Sequence, residues 1–350
     1  MGTTIGRGTG NRPYDVYDKA ETVSKAGIET ITGQKTFTAP VKVADATLAD
    51  EATSKGQLDG KPTGFKNLII NGGFDVWQRG TSFNVGGYNA DRWTFASNTD
   101  DTFTFTRVDV LSNGEAGLPI NFSNMLKFAV TAGTTGSLND LRTRLELPKQ
   151  YSGQTLTLSY YIKSTNACTI GNRRVSFVNV TDAPPDTSLP TLNIIGGLVW
   201  TKVTNTFTLS VNSLAVYTDS SYLDVVIGLP ILTTTDIYIT GVQLEQGSVA
   251  TPFEQRPYGL ELSLCQRYYE FGANQHWATI TADTKAYQQE VTFTFKQEKR
   301  VLPTMTYVNN SDATLQLIGP VKDRFSVRNN SAGASTPTDN NISWTADAEL

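Results

Sequence analysis

The chain has 350 residues, 39% apolar and 18% charged, which suits an ordered protein with two or three modest cores and excludes an intrinsically disordered one. Its formal net charge is −4, and Lys and Arg are nowhere gathered between aromatics, which excludes a nucleic-acid-binding surface. One histidine (His276) and two distant cysteines (Cys168 and Cys265, read as reduced core thiols) exclude a His- or Cys-built metal centre, and no run approaches the ~20 apolar residues of a membrane-spanning helix.

Residues 1–20, MGTTIGRGTGNRPYDVYDKA, are glycine-rich and too poor in apolar side chains to form a core. They read as an extended attachment arm whose anchors on a partner surface are Tyr14, Val16 and Tyr17. Residues 21–64 carry short β-prone pieces (ETIT, KTFTAP, VKVAD), and their apolar residues Ile31, Phe37, Val41, Val43 and Leu48 are too sparse to bury one another within one chain. Three copies wound together would bury them along a common axis and pair the strand edges. The string ITGQKTFTAPVKVADATLADEATSKGQLD resembles the stalk element of bacteriophage tail fibres, in which a TG-KTF strand is followed by an A-T-K-G-LD segment. The resemblance covers residues 26–60 and implies a homotrimer.

From Phe65 the alternation of apolar and polar residues becomes dense: TFTFT at 102–106, TLTLSYYIK at 155–163, NTFTLSV at 205–211 and YLDVVIGL at 222–229. In TLTLSYYIK, Leu156, Leu158, Tyr160 and Ile162 share one face, the period of a half-buried strand. Strands of this kind separated by Gly, Asn and Asp turns predict an antiparallel jelly-roll β-sandwich over residues 65–258. Its opening, NLIINGGFDVWQRGTSF with YNADRWTF, and its close, GVQLEQGSVATPFEQRPYGLELSLCQRYY, resemble the β-sandwich domain of phage tail-fibre proteins, which is similar to carbohydrate-binding jelly rolls that begin with an NLI-NG-FE strand. This second resemblance covers residues 66–269.

Residues 259–350 begin with GLELSLCQRYYE, a short helix or a linking strand, and continue through EVTFTFK, VLPTMTYV, ATLQLIG and RFSVRN. Those segments predict a smaller C-terminal β-sandwich, a tip domain, and the whole chain is expected to be all-β. In related fibres the segment after CQRYY is similar to a compact trimeric tip.

Among candidate binding residues, the Asn71–Asp75 turn comes first in the chain. In the carbohydrate-binding relatives its acidic residue helps to hold a structural calcium. Here Thr240 stands where the second acid is expected, so Asp75 is assigned turn hydrogen bonds and no metal is assigned. Trp77, Trp93 and Trp200 offer faces for sugar stacking, but Trp77 and Trp93 sit among strand-like apolar neighbours and read as packing. Arg79 and Arg92 are expected to pair with acids at a turn. A fibre meets its receptor distally, so the glycan-binding residues are placed in the tip at Trp277, Tyr287 and Trp344, with Asn274, Gln275, His276 and Gln288 as hydrogen-bonding neighbours.

The carboxylates Asp100, Asp101, Asp182 and Asp186 lie in no catalytic setting, and no G-x-S-x-G, H-E-x-x-H or phosphate-binding loop occurs. The resulting expectation is a phage tail fibre rather than an enzyme. It is synthesised in the bacterial host cytoplasm, assembled into the virion by its N-terminus on the tail or baseplate, and recognises a host surface polysaccharide or lipopolysaccharide, with no cofactor, nucleic acid or membrane insertion. The competing expectations are a purely structural baseplate or tail component and a glycan-degrading tailspike.

Overall fold

The computed structural model describes residues 65–110, 117–118, 122–171, 173–279, 289–309, 315–329 and 338–350. The expected arm and stalk of residues 1–64, with Tyr14, Val16, Tyr17, Ile31, Phe37, Val41, Val43 and Leu48, lie outside them, as does Tyr287.

Two antiparallel six-stranded sheets form a jelly-roll β-sandwich. The first contains β1 (Ser82–Phe83), β4 (Thr102–Asp109), β5 (Asn124–Thr131), β7 (Thr155–Ser164), β12 (Thr201–Thr208) and β14 (Thr235–Gln246), in the order β1-β4-β5-β14-β7-β12. The second contains β2 (Gly87–Tyr88), β3 (Trp93–Ser97), β6 (Asn139–Leu145), β9 (Arg174–Val178), β10 (Thr187–Ser188) and β13 (Tyr222–Gly228), in the order β10-β9-β13-β6-β3-β2. A small ribbon pairs β8 (Cys168–Ile170) with β11 (Leu192–Ile194).

Alternation along the strands builds the core. Leu156, Leu158, Tyr160 and Ile162 point from β7 into one buried cluster with Leu223, Val225 and Ile227 of β13, as their shared face predicts. Phe95, Phe105 and Phe128 meet there with ring centres 4.6–5.7 Å apart. Burying each such ring stabilises the fold by about 1.5–3 kcal/mol. The other face of β7 is buried too, against the half-buried expectation. Tyr161 joins Val110, Phe122 and Met125 in a second apolar cluster that covers part of the first sheet's outer side. The stretch NTFTLSV starts late for its strand: β12 opens at Thr201, because its pairing with β7 runs from Ile162 back to Thr155.

The opening NLI segment is not a strand. Its backbone is held by side chains instead: Glu254 accepts from the Lys66 and Asn67 amides at 3.1 Å, and Asn67 Oδ1 accepts from Ile69 and Leu244 at 3.0 and 3.1 Å. Gly72 is required there, since a Cβ would lie 2.0 Å from the Val242 carbonyl oxygen.

Residues 258–266 form a helix, α1 (Tyr258–Gln266), whose inward residues are Glu261, Cys265 and Gln266. Both cysteines are buried and unpaired, and burial pushes the Cys265 thiol well above its usual pKa. Beyond α1, β15 (Tyr269–Thr279), β20 (Thr338–Asp347) and β17 (Thr304–Asn309) form one three-stranded sheet, and β16 (Gln289–Thr294), β19 (Arg324–Asn329) and β18 (Leu315–Ile318) form another. Their shared core is Phe295, Leu315, Phe325, Val327, Ile342, Trp344 and Ala346.

The last residues dock on the sandwich. Ala348 donates its amide to the Tyr268 carbonyl at 2.7 Å, and Glu349 pairs with the guanidinium of the buried Arg92. Burial works against the charge on Arg92, but Glu349, Tyr268 and Tyr88 outweigh it, so the net shift of its pKa is upward. Arg79 bonds Asp347 at 3.2 Å and lies 3.6 Å from Asp91. The arginines of the opening motif therefore do pair with acids, but most of those acids come from the far end of the chain.

Candidate functional site

The outer face of the first sheet carries a row of side chains set by register. Thr106 of β4 stands opposite Lys127 of β5, Lys127 opposite Tyr238 of β14, and Tyr238 opposite Lys163 of β7. Trp200, immediately before β12, extends the row. Each of these strand residues alternates with core residues such as Ile237, Ile239 and Ile162, which forces it outward.

Cations and rings interleave along this row. Lys163 is only 4% exposed, and its Nζ lies 4.8 Å from the centre of the Trp200 ring and 4.7 Å from that of Tyr238. Lys127 Nζ lies 5.6 Å from the same tyrosine ring and 2.8 Å from Asp236 Oδ2. Contacts of this kind are worth about 0.5–2 kcal/mol each, most where water is excluded. The hydrogen bond to Asp236 raises the Lys127 pKa against a smaller lowering by burial, so this lysine is charged across the physiological range.

One end of the face is covered by Leu118, Phe122 and Phe253, which pack with Tyr161 and Trp200. The other end opens into a depression lined by Thr102, Thr104, Thr131, Asn166, Thr234 and Asp236. Its wall is held in place: Asn166 Nδ2 donates to the Thr234 carbonyl at 2.9 Å, and Thr234 Oγ1 accepts from the Ala132 amide at 3.0 Å. Hydroxyls, an amide, a carboxylate and the Lys127 ammonium thus lie on the same face as the half-buried Tyr238 ring. Such a set can hydrogen-bond sugar hydroxyls while the ring packs on pyranose C–H groups.

The residues singled out from sequence fall elsewhere. Trp344 is a core side chain, 6% exposed, with ring centres 5.0 Å from Phe325 and 5.6 Å from Phe295; this corrects its expected role in stacking on a sugar. It lies over Gly272, where a Cβ would sit 2.4 Å from the indole Nε1. Trp277 is on β15 opposite Asn340, five positions along the strand from Gly272, which faces Trp344. The polar surroundings that read as turns are long paired strands, because Ile342, Trp344 and Ala346 alternate inward. On β15, Phe271, Asn274 and His276 are exposed.

Trp77 and Trp93 are buried, and their indole N–H groups donate to the Phe74 and Asn71 carbonyls at 2.7 and 2.9 Å, the packing role expected of them. Asp75 accepts from Asn124 Nδ2 at 2.9 Å, and Thr240 Oγ1 donates to the Asn124 carbonyl at 2.9 Å, so the acid meets neutral partners. Burial raises the Asp75 pKa despite the Asn124 hydrogen bond and the Arg107 charge. A calcium site needs several oxygen ligands, and Asp75 supplies one carboxylate.

Lys127, Lys163, Asp236 and Tyr238 were not singled out from sequence. A signal for Lys163, Asp236 and Tyr238 exists in TLTLSYYIK and TDIYIT, where these residues and Tyr161 alternate with the apolar face.

No protein-family model and no curated protein matches the chain. Among solved structures it is similar to the enzymatically active domain of bacteriophage CBA120 tailspike protein 4, at 13% identity and a TM-score of 0.34, over 52% of this chain and 21% of that one. The chain thus spans about a fifth of that tailspike structure. It is also similar to the carbohydrate-binding module CBM4, at 18% identity over 51% of this chain and 99% of that one with a TM-score of 0.33. A third similarity is to TmCBM61 in complex with β-1,4-galactotriose, at 12% identity over 52% of this chain and all of that one (100%), with a TM-score of 0.32.

Proposed function

We propose that the chain is a glycan-recognising phage tail-fibre component that binds saccharide, without cleaving it, along the outer face of the first sheet. The observation that carries the reading is the register-matched row Lys127, Tyr238, Lys163 and Trp200 beside an open, hydroxyl-lined depression. The resemblance of residues 66–269 to tail-fibre and carbohydrate-binding jelly rolls supports it from the sequence side. Binding without turnover is preferred because the strip's carboxylate, Asp236, is engaged by Lys127, whereas two-carboxylate hydrolysis needs a free acid and a free base. Homotrimerisation through residues 21–64, attachment to the tail or baseplate through Tyr14, Val16 and Tyr17, and a place in the virion belong to the same proposal. Three copies would raise a weak per-site affinity through effective concentration.

The test is a glycan array followed by calorimetry on the full chain. A neutral or acidic oligosaccharide that binds the parent should lose roughly tenfold or more in affinity in Tyr238→Ala, equivalent to about 1.4 kcal/mol. Undiminished binding in that variant would remove the site. Sedimentation equilibrium of the full chain should return three times the chain mass.

A second reading places recognition on the C-terminal bundle, at Trp277 and Tyr287. The exposed Phe271, Asn274 and His276 on β15 favour it. Loss of binding in a Phe271→Ala, His276→Ala double variant, with Tyr238→Ala unaffected, would select this alternative.

A further inference from the structure

The segment that opens the sandwich, residues 71–93, carries backbone strain. Asn71, Phe74 and Arg92 sit at φ values of 59°, 56° and 70°, the left-handed region that a residue with a Cβ adopts at a cost, and all three are buried. Such positions persist only where the surroundings hold them. For two of the three, the segment supplies its own support. The Asn71 side chain donates to the Val76 and Asp91 carbonyls at 2.8 and 2.9 Å and accepts from the Val76 amide at 3.0 Å. The Phe74 ring packs on Trp93, with ring centres 4.9 Å apart.

Arg92 is held from outside. Its Cζ lies 3.5 Å from the centre of the Tyr268 ring, and its guanidinium donates to the Arg144 carbonyl and pairs with Glu349. Among the described residues, Glu349 is the carboxylate that neutralises this cation. The adjacent acid, Asp91, is engaged by Gln78 at 2.6 and 2.8 Å and faces Arg79 at 3.6 Å.

Residues 347–350 run on from β20 and are fixed from two sides. Arg300, between β16 and β17, donates to the Ala348 and Glu349 carbonyls at 3.1 and 3.2 Å. On the sandwich, the Tyr88 hydroxyl donates to the Leu350 carbonyl at 2.9 Å, Arg144 donates to the same oxygen, and Arg79 reaches Asp347 and Glu349 at 3.2 and 3.4 Å. The Glu349 and Arg92 side chains are 4% and 2% exposed, so solvent cannot replace either partner while the segment stays closed. The contact that balances the strained Arg92 is thus made by residues more than 250 positions away.

We infer that residues 347–350 are a strap that keeps the strained opening segment closed. Glu349 holds Arg92 in its left-handed conformation, and displacing the strap opens residues 71–93 while the central strands stay folded. The C-terminal bundle and the opening of the sandwich are thereby coupled through one buried ion pair. This coupling does not depend on the function proposed for the tyrosine–lysine strip.

Hydrogen exchange on the full chain tests the strap, read at the Asn89, Asp91 and Trp93 amides, which donate to the Trp93, Val76 and Ala90 carbonyls at 3.0, 3.1 and 2.9 Å. Glu349→Gln keeps the shape of the side chain and removes its charge. It should speed exchange at these amides at least roughly tenfold and leave Val225 and Ile227 of β13 as slow as in the parent. Unchanged exchange at residues 89–93, or an equal rise on β13, overturns the inference. Arg92→Asn removes the cation and suits the left-handed backbone, so adding Glu349→Gln to it should bring little further change. A further change as large as that in the parent background also overturns it. Should Glu349→Gln alone fail to fold, the double variant is expected to fold, because the cation that needs the acid is gone; a double variant that does not fold overturns the inference as well.

Discussion

On the outer side of the first sheet a buried cation lies among aromatic rings, Lys163 against Trp200 and Tyr238; on the outer side of the second, cations lie over carboxylates, Arg142 and Arg174 over Asp140. Both faces alternate with the same core. A ring quadrupole attracts a cation without an opposite formal charge, so the first face leaves polar groups open to neutral hydroxyls. A buried carboxylate must be paired, so the second face commits its arginines to an ionic lattice. The difference shows that alternation determines which residues face outward, while the partners of the charges determine what that surface can bind.

The largest effect should come from breaking the lattice. Asp140→Ala strands Arg142 and Arg174 over a buried vacancy and should cost about 3 kcal/mol of stability, seen as a lower midpoint in urea with an unchanged slope. An unchanged midpoint would mean that water already satisfies the two arginines.

The pH response sharpens the contrast through two buried acids on the second sheet's side, Asp224 and Asp91, which are shifted upward. Burial raises the Asp224 pKa against the lowering charges of Arg142, Arg144 and Arg174. Burial likewise pushes Asp91, just before β3, up to about 6, more than Arg79 and Gln78 pull it down. Between about pH 4 and pH 6 the folded Asp91 holds a proton that the unfolded chain has released. Its contribution to stability is therefore full below about pH 4 and is lost as pH rises through about 6, by up to about 3 kcal/mol. Asp91→Asn should flatten this part of the stability–pH curve, and equal slopes in parent and variant would refute the assignment.

Two smaller effects belong to the first face. Tyr238→Ala should reduce saccharide affinity as given above while lowering stability by only about 1 kcal/mol, since the ring is half-buried outside the main core. Lys163→Met keeps the aliphatic stem between the two rings and removes the charge. It should cost about 1 kcal/mol in thermal unfolding, a smaller loss than that of Asp140→Ala on the other face.

Much of the sandwich was legible in the chain itself. Period-two alternation marked β4, β7 and β13, and it placed Leu156, Leu158, Tyr160 and Ile162 in the core, because a half-buried strand allows each residue only one of two sides. Trp77 and Trp93 as packing residues, and Arg79 and Arg92 as partners of acids, were legible from their immediate neighbours. Tertiary structure decided the rest. Trp344 sits in a polar-looking sequence, yet its strand turns Ile342, Trp344 and Ala346 toward Phe325, so the indole is core. The acids that neutralise Arg79 and Arg92 include Asp347 and Glu349, from the far end of the chain. Lys127, Tyr238 and Lys163 are scattered over more than a hundred positions and become one row only when β5, β14 and β7 pair in register. Alternation is a property of neighbouring residues and can be read along the chain, whereas register and cross-sheet charge pairing join distant segments and exist only once the backbone has closed.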